Sequence, residues 1–207
     1  CQICTAARPN YGGVVRRDLP KSPTLLSEPR ICVSIDELAI PAGDHILKCL
    51  LAIDVFSNYM YIEFLNAPLT SKRFEEFIRR IKLMYGSALC YLHTDNDIRL
   101  ENAQISSMCE ELGIFKISTL AYSSKSLFAE VGNKMLLDVL RLELLARDTP
   151  VAMFKSIIEA LVVSLNESPF YESPSISPYS LFFGCHPKDK ENIGFIENNN
   201  ILDKEEH

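Results

Sequence analysis

The sequence predicts an α/β domain, a five-stranded mixed sheet flanked by helices whose first three strands form an antiparallel meander. Three observations carry this reading. Strand-like runs follow one another closely within residues 31–65. At Ser71 the apolar period changes to helical spacing. From there strand-like and helix-like segments alternate, as they do where strands are joined by crossovers.

An extended, Pro-containing lead (residues 5–29) precedes Ile31-Cys32-Val33-Ser34-Ile35-Asp36, a strand by its β-branched content. Ile46 to Asp54 is nearly all apolar and reads as a central strand, Tyr59 to Leu65 as its neighbour, with Phe56-Ser57-Asn58 as the hairpin turn between them. Phe74, Phe77, Ile78, Ile81 and Tyr85 then recur at helical spacing, and Gly86 stops the helix. Leu89 to His93 is a short strand, residues 101–112 a helix closed by Gly113, and Ile114 to Ser118 another strand, giving the order βββαβαβ. Two long helices complete the domain. One runs from Phe128 to Ala146; the other opens with Thr149 as N-cap and Pro150 at its first position. The latter carries Phe154, Ile157, Ile158, Leu161, Val162 and Leu165 on one stripe, which is core packing.

A length of 207 residues fits one large domain, or one with small appendages, and a hydrophobic content of 47% suffices for a core. No apolar stretch reaches the roughly 18 residues of a membrane span, and the N-terminus lacks a targeting pattern, so no membrane partner is expected. The chain begins at Cys1 and ends in the polar stretch Asn198 to His207, and so reads as a segment of a longer chain. Of its seven cysteines, Cys32, Cys49, Cys90, Cys109 and Cys185 sit singly in apolar or helical surroundings, the usage of free thiols in a reducing, intracellular compartment. Cys1 and Cys4 have the spacing of two ligands to one tetrahedral metal, half of a four-ligand zinc site. A net charge of −6 argues against a free-standing nucleic-acid binder. Local basic stretches at Arg16-Arg17, Arg79-Arg80-Lys82 and Lys188 to Lys190 read as solvated surface.

The chemistry lies in three acids: Asp36 closing an apolar run, Asp95 within His93-Thr94-Asp95-Asn96, and Glu130 opening a helix. A carboxylate at the end of a buried strand is costly to desolvate, so three of them point to a cation as the missing partner, and hard oxygen donors favour Mg²⁺ or Mn²⁺. His93 and His45 read as structural or surface histidines, since neither has a second His at strand or helical spacing.

The ordered set of motifs resembles the RNase H-like catalytic core of retroviral and LTR-retrotransposon integrases. Cys1-Gln2-Ile3-Cys4 is similar to the last two ligands of the His-His-Cys-Cys module that precedes that core. Val33-Ser34-Ile35-Asp36 stands where the first catalytic aspartate does, and Leu51-Ala52-Ile53-Asp54-Val55-Phe56-Ser57 resembles the family's "viD-fSr" turn. Thr94-Asp95-Asn96 matches "sDnG", Leu112-Gly113-Ile114 "lGI", and Ala121-Tyr122 the start of "aYhPqsnGqvE". Glu130, Asn133 and Leu140-Arg141 fall as in "vErvNrtLk…LR", and Ser177 to Pro187 resembles "sPyeLlfGrrP". The chain departs from this pattern at Asp97, which replaces a glycine, and at Ser123 to Ala129, which replace the loop's Pro and Gly. Glu130 also arrives one residue early, and one residue turns a helix by about 100°.

The resemblance implies a zinc-module remnant plus linker (1–29), a catalytic core (30–187) and a polar tail (188–207). It implies a DDE-type polynucleotidyl transferase with nuclease activity that uses Mg²⁺ or Mn²⁺ to process DNA 3′ ends and join them to target DNA. Asp36, Asp95 and Glu130 would be its catalytic and metal-binding residues, and Lys134, Lys125 and Asn133 its DNA contacts. Zn²⁺ enters only if the upstream histidines are present. A homo-oligomer acting on element ends and target DNA in the nucleus is the expected setting. The alternative is an integrase-derived domain, catalytically impaired, that serves as a nucleic-acid-binding or protein-interaction module. Asp36 and Asp95 are expected on neighbouring strands, close enough to share one cation.

Overall fold

The computed structural model describes residues 28–42, 45–94, 103–118, 128–146, 150–170 and 173–187. Most of the lead (1–29) and the tail (188–207) therefore lie outside the described residues, with Cys1, Cys4, Asp95 and Lys125. The strands are β1 (Cys32–Ala42), β2 (His45–Asp54), β3 (Met60–Leu65), β4 (Tyr91–Thr94) and β5 (Phe115–Ser118). They form one sheet in the order β3-β2-β1-β4-β5. β2 pairs antiparallel with β1 and β3, while β4 runs parallel to both β1 and β5. The mixed five-stranded sheet expected from the sequence is the one observed.

β1 is longer than its apolar run suggests. It continues past Asp36 to Ala42, so Asp36 lies inside the strand rather than at its end. The physical reason is pairing: Glu37 to Ala42 lie opposite His45 to Leu50 of β2, and Leu38, Ile40 and Ala42 are buried while Ala39 and Pro41 are exposed. Among the described residues the pairing of β1 with β4 stops at Ile35, and Pro41 lies beyond it, where no amide donor to β4 is called for.

Helices cover both faces. On one lie α1 (Ser71–Tyr85) and α2 (Ala103–Glu111), with Phe74, Phe77, Ile78, Ile81, Ile105 and Met108 packed on Val33, Ile35, Leu50, Ala52 and Leu92. Thr70 caps α1 by accepting from the Arg73 amide at 3.2 Å, and Gly86 ends it at φ 67°, a left-handed value that glycine adopts without strain. On the other face lie α3 (Phe128–Ala146) and α4 (Phe154–Glu167), whose Leu136, Leu140, Ile158 and Val162 pack on Leu38, Ile40, Cys49, Leu51 and Ile53. The α-helix of α4 begins at Phe154, after a short 3₁₀ turn of Val151–Met153 closed by Met153 N–H to Pro150 C=O at 2.9 Å. Pro150 thus opens that tighter turn rather than the α-helix, and Thr149 lies outside the described residues. The short helix α5 (Pro178–Phe183) has a reciprocal Ser177–Ser180 capping box, with Pro178 in its first turn.

Candidate functional site

Alternation along β1 turns Asp36 toward the α3 face of the sheet, with Leu38 and Ile40 beyond it. Asp36 is half-buried, and Asn133 donates from Nδ2 to its Oδ2 at 2.5 Å, joining residues 97 positions apart. Asn133 is 9% exposed, and its Oδ1 is buried with no hydrogen-bond partner among the described residues. Gly132 is what lets α3 come this close. A Cβ there would overlap Ile53 Cδ1 of β2 and come within 3.3 Å of Cγ1.

The phase of α3 follows from these contacts. Gly132, Asn133, Leu136 and Leu140 form its inward face. Glu130 belongs to the first turn of the same helix, three residues before Asn133; its side chain lies outside the described residues. Lys134 is exposed, on the wall of an open cavity of about 320 Å³ lined also by Asn133, Leu137, Asp138 and Arg141. Arg141 is engaged by Asp138 at 3.2 Å.

The β1–β4 register runs from Cys32 opposite Tyr91 to Ile35 opposite Thr94, the residues immediately before Asp36 and Asp95. One pleat earlier, on the Asp36 face, the Ser34 hydroxyl lies 3.3 Å from His93 Nδ1. Ser34 is fully buried, and burial lowers the His93 pKa from its ordinary value, which favours neutral imidazole. Among the described residues there is no cluster of three or more His, Cys, Asp or Glu side chains able to hold a metal ion. Of the expected site residues, the structure brings Asp36 and Asn133 into contact, and Lys134 follows Asn133 as an exposed residue of α3.

Asp54 is the most buried carboxylate described, fully enclosed at the end of β2. It accepts from the Arg30 amide, the Ser57 amide and the Ser57 hydroxyl, each at 2.7 Å. Burial pushes its carboxyl above the ordinary value, and these hydrogen bonds oppose that rise. Asp54 is therefore a structural acid that closes the β2–β3 turn. The Asp-x-x-Ser spacing is the signal from which its role could have been read. Asn166 was also missed. It receives the Met60 amide at 2.8 Å and donates to the Met60 carbonyl at 2.8 Å, clamping α4 to the start of β3. Its signal is the series Phe154, Ile158, Val162, Asn166, a buried stripe that ends on a polar residue.

No protein-family model and no curated protein sequence matches the chain. Solved structures do. The catalytic core domain of HTLV-2 integrase, in its dimeric form in complex with magnesium, superposes with a TM-score of 0.58 at 14% identity, covering 75% of this chain and 97% of that one. The catalytic core domain of BIV integrase gives 0.57 at 18% identity, covering 74% and 93%. A chain of the simian T-cell lymphotropic virus intasome, solved in complex with PP2A regulatory subunit B56 gamma, gives 0.61 at 14% identity, covering 75% of this chain and 55% of that one. The chain has the fold of retroviral integrase catalytic cores.

Proposed function

We propose that this domain is an integrase-type polynucleotidyl transferase that trims DNA 3′ ends and joins them to target DNA. The Asn133–Asp36 contact carries the reading. It sets the face of α3 that meets β1, so Glu130, one turn before Asn133 on that helix, is the third carboxylate, and the one-residue shortening falls in the segment before Phe128. Asp95, which directly follows the Ile35–Thr94 pair, is the second. The orphaned Asn133 Oδ1 beside Asp36 suits a site built of hard oxygen donors, the chemistry that selects Mg²⁺ or Mn²⁺. Asp36, Asp95 and Glu130 would hold that metal, which when bound activates the attacking oxygen and stabilises the leaving one. Asn133 orients Asp36 by donating to one of its carboxylate oxygens, Oδ2. Lys134 and Lys125 hold backbone phosphates by charge. Cys1 and Cys4 complete a zinc site only with two upstream histidines. The magnesium bound by the HTLV-2 neighbour, and its dimeric and trimeric forms, support a divalent metal and a homo-oligomer here; a nuclear setting follows from DNA as substrate.

The test is strand transfer on element-end DNA with Mg²⁺ or Mn²⁺, using protein that carries its flanking segments. Asp95→Asn is expected to abolish the reaction, and activity unchanged in that variant refutes the metal-site assignment. One observation favours a second reading, a catalytically impaired binding or interaction module. Arg73, Arg79 and Arg80 of α1 are all engaged by Glu63, Glu75 or Glu111, at 2.7 to 3.2 Å. Wild-type protein that binds DNA or a partner but joins no ends would establish it.

A further inference from the structure

The geometry points to the Ser34–His93 pair as the positioning device that sets the spacing of β1, which carries Asp36, and β4, which Asp95 follows in sequence. This inference rests on the proposed reading, in which Asp36 and Asp95 share one cation. Among the described residues β4 contributes four residues, and its pairing with β1 comprises four residue pairs. A parallel ladder is less stable per residue than an antiparallel one, so four pairs hold β4 weakly compared with the ten-pair antiparallel ladder on the other side of β1. Ser34 and His93 are direct Cα partners within that short ladder. Their side chains meet at 3.3 Å on the face Asp36 occupies, two residues before each aspartate. Thr94, between His93 and Asp95, would follow any shift of β4 at His93.

Backbone pairing alone fixes the distance between strands. A hydrogen bond between side chains adds resistance to sliding and to tilting, because its strength falls steeply with angle. The hydroxyl of Ser34 is fully buried and lies against the imidazole, so Ser34→Ala takes a hydrogen-bonding partner from His93 Nδ1. Ser34 and His93 would touch neither metal nor DNA. They would act through the aspartates.

The full chain, titrated with Mn²⁺ alone and followed by the electron paramagnetic resonance of the free ion, separates this role from the reading beneath it. Ser34→Ala and His93→Leu are expected to weaken Mn²⁺ binding roughly three- to tenfold, toward the lower end of effects seen for groups outside the ligand shell. His93→Asn, whose amide can stand near the Nδ1 position, should stay within about twofold of wild type. Asp36→Asn should abolish binding. Thermal melts identify any variant that fails to fold, and Ser34→Ala, the smaller change, decides the matter if His93→Leu does. Loss at Asp36→Asn with wild-type affinity in Ser34→Ala overturns the positioning role and leaves the metal site standing. Wild-type affinity in Asp36→Asn, or no Mn²⁺ binding by wild type, overturns both.

Discussion

Single residues divide the acids of this chain into two kinds. Asp36 is half-buried and accepts from the Asn133 amide, whereas Asp54 is fully enclosed and accepts from the Arg30 amide and from the Ser57 amide and hydroxyl. Because burial raises the folded-state pKa of Asp54 above the unfolded value of about 3.9, its neutral form is the one favoured by folding. The stability linked to its protonation is fully present below about pH 4 and is lost as pH rises through the raised folded-state pKa. Asp54→Asn removes that slope, so across pH 3 to 7 the urea midpoint should fall more steeply with rising pH in wild type than in the mutant, and the gap between them should narrow toward pH 7. The variant also costs about 1–3 kcal/mol at every pH, since an amide cannot accept from all three donors. Gly132 makes the other residue-scale case. Ala at position 132 recovers about 1 kcal/mol of helix propensity but meets Ile53, and overpacking of about 1–3 kcal/mol wins. Gly132→Ala should therefore lower stability, and Ile53→Val, by deleting the overlapping Cδ1, should relieve most of the loss in a double-mutant cycle.

At the scale of elements, legibility followed locality. The stripe of α1 could be read from the sequence because Phe74, Phe77, Ile78, Ile81 and Tyr85 are fixed by helical period alone, and all five are buried. The span of α3 was legible for the same reason. The second half of β1 was not: Glu37 to Ala42 contain a proline and few β-branched residues, and only their pairing with β2 makes them a strand. The phase of α3 against β1 was equally hidden, because it depends on Gly132 meeting Ile53 and Asn133 meeting Asp36, contacts between distant parts of the chain. The α4–β3 junction shows how much one such contact carries. Asn166 satisfies both backbone groups of Met60, 106 positions away, inside the core. Asn166→Ala leaves a buried amide and a buried carbonyl unpaired, and should cost about 2–4 kcal/mol in chemical denaturation. A cost below about 1 kcal/mol would mean that water replaces the side chain there.

Taken as a whole, the molecule sets an acidic charge of −6 against a proposed polyanionic substrate. The arginines of α1 do not resolve the conflict, since Arg73, Arg79 and Arg80 share Glu63, Glu75 and Glu111. Such exposed pairs add little stability, but they lower the positive potential that α1 presents to a phosphate backbone. The cations proposed for DNA lie instead on α3, with Lys134 exposed next to Asn133 and Arg141 shared with Asp138. With Lys134 and Lys125 as the proposed phosphate contacts, the number of phosphates neutralised is small. Each contributes about −0.9 to the slope of log K against log salt on duplex DNA, so two to three contacts give a slope of roughly −2 to −3. Lys134→Ala should reduce the magnitude of that slope by about 1 and weaken binding evenly across sequences, as loss of a phosphate contact does. Fluorescence anisotropy between 50 and 200 mM salt reads both quantities. An unchanged slope in Lys134→Ala would move the DNA path away from α3, and with it the case for Glu130 as the third acid.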